Sequence, residues 1–172
     1  MRKKNILITG PPGIGKTTLI RRIAHDLQEL NPAGFLTEEI RVVGIRKGFS
    51  LVSLDGNRGM LSHTDITSRY RVGKYGVDIA AFENFLGHIP FFGPDSGVII
   101  IDETGRMECM SDKFNKLLET ILEQERPVIA TITSKGEGTI GEIKKRADIE
   151  LFAMTQSNRN SLLAKILELF PS

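Results

Sequence analysis

Residues 10 to 17 read Gly10-Pro11-Pro12-Gly13-Ile14-Gly15-Lys16-Thr17, a complete G-x-x-x-x-G-K-[ST] segment. The chemistry that such a segment can do is the binding of a polyphosphate. Main-chain N–H groups converge on phosphate oxygens only where no Cβ intervenes, and glycines at this spacing allow it. Lys16 adds a mobile positive charge for the outer phosphates, Thr17 offers a hydroxyl to Mg²⁺, and Thr18 extends the run of amides. An acidic pair completes the set: Asp102-Glu103 follows directly on Val98-Ile99-Ile100-Ile101. Asp102 would stand near the Mg²⁺ shell and Glu103 next to the terminal phosphate, where it can orient or deprotonate a water.

The elements around these residues must bring them together. Asn5-Ile6-Leu7-Ile8-Thr9 reads as a strand, and after the loop Leu19, Ile20, Ile23, Ala24, Leu27 and Leu30 recur at helical spacing until Asn31-Pro32 stops the helix. Pro11 and Pro12 have no N–H to give, so they belong at the outer turn and leave the amides from Gly13 onward to the phosphates. The helix start adds unpaired amides and the positive end of its dipole. Val98 to Ile101 is a continuous apolar run, as expected of a parallel strand buried on both faces. In a doubly wound sheet ligands bind outside the carboxyl ends of the strands, which is where the acidic pair falls.

Elsewhere the pattern is less regular. Gly34 to Val43 and Gly48 to Leu54 flank Gly44-Ile45-Arg46-Lys47 and read as an antiparallel hairpin beside the parallel core. Asp55-Gly56 marks a turn before a short strand at Met60 to His63. Tyr75 to Ile79 reads as a strand or loop entering a short helix through Phe82, Phe85 and Leu86. Gly87 to Gly97 is expected as a loop, with Phe91 and Phe92 read as plugs of the core rather than a base-stacking platform. Ser111 is placed to cap a helix bearing Phe114, Leu117, Leu118, Ile121 and Leu122, ended by Arg126-Pro127. Val128 to Thr133 is the next buried strand, with Thr131 or Thr133 a candidate for sensing the γ-phosphate, although threonine also simply suits a strand. A glycine-rich loop at Gly136 to Gly141, a strand at Ile149 to Met154 and a helix through Leu162, Leu163, Ile166 and Leu167 complete the chain.

Composition fits one domain over residues 1–172, with 40% hydrophobic and 26% charged residues. A formal net charge of +2 is far from the basic footprint of a nucleic-acid binder. Arg2-Lys3-Lys4 reads as a solvated entry to the first strand, and the apolar stretch behind it is too short for a signal peptide or a membrane span. The expectation is a cytoplasmic chain with neither nucleic acid nor membrane as partner. Cys109 is the only cysteine, which excludes an intramolecular disulfide or a thiolate zinc cluster. His25, His63 and His88 are dispersed, so the metal should arrive with the nucleotide.

The fold class implied is α/β: a P-loop NTPase with a RecA-like, mostly parallel sheet flanked by helices and an added antiparallel hairpin. The long separation of Lys16 from Asp102, and Glu103 beside Asp102, favour that core over a Ras-like one. The segments resemble the small thermostable, or cancer-related, nucleoside-triphosphatases over nearly the whole chain. The resemblance rests on Gly10 to Thr18, Gly34-Phe35-Leu36-Thr37-Glu38-Glu39-Ile40-Arg41, Gly44-Ile45-Arg46-Lys47-Gly48-Phe49, Val72-Gly73-Lys74-Tyr75, Ile101-Asp102-Glu103-Thr104-Gly105-Arg106-Met107-Glu108 and Asn158-Arg159. Thr104 and Arg106 depart from that pattern, which has a larger apolar residue and commonly Lys there.

What the resemblance implies is hydrolysis of nucleoside 5′-triphosphates to diphosphate and phosphate, with tolerance for ATP, GTP and other bases. It also implies nucleotide contacts at the phosphate loop and at Asp102, Glu103, Thr104, Gly105 and Arg106. The residues agree independently on base tolerance, since the only guanine-like signature, Asn115-Lys116, lacks an Asp two positions on and lies on an amphipathic helix. Asn158-Arg159 is placed to touch a base or ribose, or else Asn158 is a cap. Lys16 and Glu103 are the catalytic candidates, Thr17 and Asp102 the metal ligands, and Arg41, Arg46, Arg106 and Arg146 the candidates for an added arginine. Two other functions fit a phosphate loop: a small-molecule kinase, and a switch protein whose slow hydrolysis times partner binding.

Overall fold

The computed structural model describes residues 3–170, so Arg2 of the basic run lies outside the described residues. β1 (Asn5–Thr9) leads through the glycine loop into α1 (Lys16–Asp26). β2 (Ala33–Val42), β3 (Ile45–Ser53), β4 (Arg58–His63), β5 (Arg71–Val72) and β6 (Tyr75–Val77) follow, then α2 (Ile79–Gly87). The second half runs β7 (Ile99–Thr104), α3 (Asp112–Glu123), β8 (Val128–Ile132), α4 (Thr139–Lys144), β9 (Ile149–Ala153) and α5 (Leu162–Leu167).

The strands form one sheet in the order β5-β6-β4-β3-β2-β7-β8-β1-β9. Its β2-β7-β8-β1-β9 portion is parallel, and the extension beyond β2 is antiparallel. β8 therefore separates the loop strand β1 from the acid strand β7, the arrangement of a RecA-like core. Side-chain alternation decides which helices cover which face. Leu7, Ile99, Ile101, Val128 and Ala130 point to the side packed by α2, α3 and α4, whereas Ile6, Ile8, Ile100 and Ile129 point to the side packed by α1 and α5. Both faces are thus covered, which is why these strands read as unbroken apolar runs. On the α2–α3 side Phe35 meets Phe82, Phe85 and Phe114 edge-on at centroid distances of 6.1, 5.9 and 6.4 Å, a cluster that ties the antiparallel extension to the parallel core. Among the described residues no helix is long and apolar enough to cross a membrane.

Four local expectations need correction. α1 ends at Asp26, because Leu27 leaves helical geometry and a tighter 3₁₀ turn at Gln28–Leu30 follows, leaving Leu30 exposed. The hairpin turn is Val43-Gly44 alone, both at positive φ, as a two-residue connection with the twist of its strands requires; Ile45, Arg46 and Lys47 belong to β3. Of the two loop phenylalanines only Phe91 is buried, while Phe92 is 54% exposed. The glycine-rich segment contains the start of α4, held by Ile140 and Ile143 against the core. Ser111 does cap α3, its hydroxyl accepting the Phe114 N–H at 3.0 Å.

Candidate active site

β1 delivers the glycine loop to the carboxyl edge of the sheet, where Met154 beyond β9 donates its N–H to Thr9 O at 2.7 Å. Gly13 and Gly15 hold φ of 79° and 113°, conformations that a side chain resists. A Cβ on Gly10 would stand 2.9 Å from Met154 O, so the loop also needs its first glycine for closeness. Pro11, Pro12 and Gly13 are exposed at the outer turn, as the missing proline N–H groups require, and Ile14 is buried as the loop's anchor. No side chain caps α1 and no acid stands in its first turn, so the amides at its start, including those of Thr17 and Thr18, remain open to an anion. Lys16 folds back over the loop, its Nζ donating to Gly10 O at 2.5 Å.

β7 carries the acids to the same edge. Asp102 is 2% exposed; its Oδ1 accepts the Thr131 hydroxyl at 2.7 Å, and its carbonyl oxygen accepts the Thr37 hydroxyl. Its Oδ2 is buried with no hydrogen-bond partner of good geometry among the described residues. Burial pushes the Asp102 carboxyl above its ordinary range, opposed by the hydroxyls of Thr131 and Thr17. Thr17 is therefore within electrostatic reach of this carboxylate across the gap between α1 and β7. A buried carboxylate oxygen left without a donor, beside a threonine hydroxyl, is a hard-oxygen pair that fits Mg²⁺, which keeps several waters and takes few protein ligands. Glu103 is half-buried and raised in pKa by burial and by Asp102, while the Lys16 ammonium pulls it down. Lys16 and Glu103 thus sense each other, as the loop and acid motifs must if they form one site.

Other residues sort less uniformly. Thr104 is buried with its hydroxyl unpaired, and its carbonyl accepts the Thr133 N–H at 3.2 Å, which ties the ends of β7 and β8. Thr131 spends its hydroxyl on Asp102, so it positions the acid. Asn158 accepts the Thr155 N–H at 2.7 Å and donates to Ala153 O at 2.8 Å, closing the turn after β9. Arg146 pairs with Asp148 at 2.9 Å beside the start of β1, the opposite edge of the sheet, which removes it from the arginine candidates. Arg41 and Arg46 are engaged by Glu39 near the hairpin tip, and Arg46 also donates to the Tyr75 hydroxyl at 2.9 Å. Arg106, exposed in the turn after β7, makes no hydrogen bond or ion pair among the described residues.

Sequence reasoning assigned no role to Glu108 or Thr37. Glu108 is 4% exposed, and its Oε2 accepts the Gly105 N–H at 3.1 Å. Burial and the neighbouring Glu103 push its pKa up to about 8, with Asp102 adding to the rise and no cation paired to it among the described residues. The available signal was an acid embedded in Met107-Glu108-Cys109-Met110, an apolar setting unusual for a solvated glutamate.

This shift has a consequence for stability. The folded chain keeps a proton on Glu108 that the unfolded chain releases near 4.5, so Glu108 favours folding fully below that pH and loses the contribution as pH rises to about 8. Glu108→Gln has no proton to lose. Its unfolding free energy, measured in denaturant at pH 5 and pH 8, is expected to fall by less than the wild type's over that interval, by an amount on the order of a few kcal/mol. Identical falls in the two chains would refute the buried-acid assignment.

A glycine loop between strand and helix, faced by carboxylates from a strand one place removed, defines a P-loop NTPase. A family model described as NTPase matches residues 5–167. The chain belongs to that family. It is 45% identical to the nucleoside-triphosphatase THEP1 of Thermotoga sp. (strain RQ2), over 94% of this chain and 92% of the relative. It is 37% identical to the cancer-related nucleoside-triphosphatase of Homo sapiens, over 95% of each. The crystal structure of THEP1 from the hyperthermophile Aquifex aeolicus superposes with a TM-score of 0.85 at 34% identity, covering 98% of this chain and 99% of that one.

Proposed function

We propose that the chain hydrolyses nucleoside 5′-triphosphates to nucleoside diphosphate and phosphate, with Mg²⁺ and with little discrimination among bases. The observation that carries this reading is the buried Asp102 carboxyl, whose Oδ2 has no well-formed hydrogen bond among the described residues and whose pKa the Thr17 hydroxyl lowers, with Glu103 next to it in reach of the Lys16 charge. Thr17 and Asp102 would hold Mg²⁺, which supplies charge for the β- and γ-oxygens. The amides from Gly13 to Thr18 grip the phosphates and Lys16 spans the outer two, so the charge that develops as the bridging P–O bond breaks meets fixed donors. Glu103 orients the water whose oxygen bonds to the γ-phosphorus in line with the departing diphosphate, and takes up the proton that the water gives off. Arg106 is the arginine free to approach from the same turn. The names of the two relatives, both nucleoside-triphosphatases, agree with this reading.

Base tolerance is supported by Asn115, which donates to Cys109 O at 2.9 Å on α3 and so serves the helix start, not a base. A phosphate-release screen with ATP, GTP, CTP and UTP, with and without Mg²⁺ and with no acceptor added, tests the whole reading. Release from all four in the presence of Mg²⁺ alone is the expected result. Absence of release from every triphosphate would overturn it.

A further inference from the structure

Glu108 is a buried acid for which the mechanism above has no use, and its surroundings indicate one. The carboxyl groups of Glu103 and Glu108 flank a single backbone atom: a Cβ on Gly105 would stand 2.6 Å from Glu103 Oε1 and 2.9 Å from Glu108 Oε2. Gly105 is thus required for the space that the two acids occupy. Glu108 also closes the turn on which Glu103 depends. Its side chain accepts the Gly105 N–H, its carbonyl accepts the Ser111 N–H at 3.1 Å, and the Gly105 carbonyl accepts the Cys109 N–H at 3.0 Å. Ser111 in turn caps α3, so the turn is pinned to the core. Among the described residues the Glu103 side chain makes no hydrogen bond, and Lys16 acts on it only through space. Glu108 thus lies against the same glycine as Glu103 and close enough for the two charges to act on each other.

We infer that Glu108 is a positioning residue for Glu103, a buried carboxyl that fixes the Thr104-Gly105-Arg106 turn and backs the Glu103 side chain so that it faces the attacking water. This inference rests on the proposed hydrolysis and adds to it a residue that touches neither nucleotide nor metal. A misplaced base costs rate far more than affinity, because affinity comes from the loop and Lys16, which Glu108 does not contact.

The experiment compares steady-state ATP hydrolysis and the melting temperature of the wild type, Glu103→Gln, Glu108→Ala, Glu108→Asp and Glu108→Gln. Glu108→Ala is expected to lower kcat about tenfold to a hundredfold, with KM within about twofold, the scale of an ångström-sized misplacement. Glu108→Asp withdraws the carboxyl by one methylene and carries the same expectation should the alanine variant not fold. Glu108→Gln keeps an oxygen for the Gly105 N–H and is expected to recover most of the loss, which a general loss of stability would not produce. Unchanged kcat in the alanine and aspartate variants, a loss confined to KM, or a glutamine variant as impaired as the alanine one would each overturn the inference. A wild type that releases no phosphate sinks the hydrolysis reading itself; an active wild type, an inactive Glu103→Gln and an unaffected Glu108 series sink the positioning role alone.

Discussion

Glu103→Gln is expected to cut phosphate release from Mg²⁺–ATP by about a hundredfold or more while leaving triphosphate affinity nearly intact, the scale of losing a positioned general base. The two effects separate because they arise on different elements. On the proposed reading, affinity comes from amides and an ammonium on the loop and α1, which the substitution does not touch. On the same reading, rate would depend on the Glu103 carboxylate, which stands half-buried at the end of β7, close to Asp102 and in the field of Lys16. An amide of the same shape keeps the packing against Gly105 and loses the proton acceptor. Single-turnover hydrolysis alongside a fluorescent-nucleotide titration reads both quantities on one preparation. Wild-type turnover would move the water-orienting role to another residue, and a parallel fall in affinity would show that Glu103 holds the nucleotide instead of the water.

What the sequence made legible, and what it did not, follows from the range of the interactions. The loop, β1, β7 and β8 were readable because each is a local pattern: glycine spacing, unbroken apolar runs, a cap at Ser111. The topology was partly readable, since the long interval between Lys16 and Asp102 allowed for added strands, but nothing local says that β2 pairs in parallel with β7 at Phe35 and Ile101 while pairing antiparallel with β3. The hairpin boundary failed because Ile45, Arg46 and Lys47 look like turn residues only until Val43 is seen at positive φ. In the site, the motif residues are readable from sequence, but their supports are not. Thr37 reaches the Asp102 carbonyl from sixty-five positions away in sequence, and Thr131 reaches its carboxylate from twenty-nine. Such hydrogen bonds are made by the packing of neighbouring strands, so they leave no spacing to read. Glu108 was closer to hand, yet a glutamate inside a turn reads as solvated until the fold buries it.

Lys16→Ala should lower triphosphate affinity about a hundredfold and lower turnover as well, because each charge-assisted contact to phosphate is worth roughly 1.5–3 kcal/mol and on the proposed reading the lysine would make more than one. The fold should not suffer. Lys16 lies at the first position of α1, partly exposed, and among the described residues its side chain donates a hydrogen bond only to Gly10 O, at 2.5 Å. Alanine is a good helix former there, so melting within a few degrees of the wild type would assign the loss to the ligand. Turnover falls in addition because the ammonium follows charge onto the bridging and γ-oxygens as the bond breaks, where a fixed positive group contributes more than it does to the bound ground state. The ratio of the two losses is the informative quantity. Affinity lost with kcat preserved would make Lys16 a binding group only, and unchanged affinity would contradict the assignment of residues 10–17 as a phosphate loop.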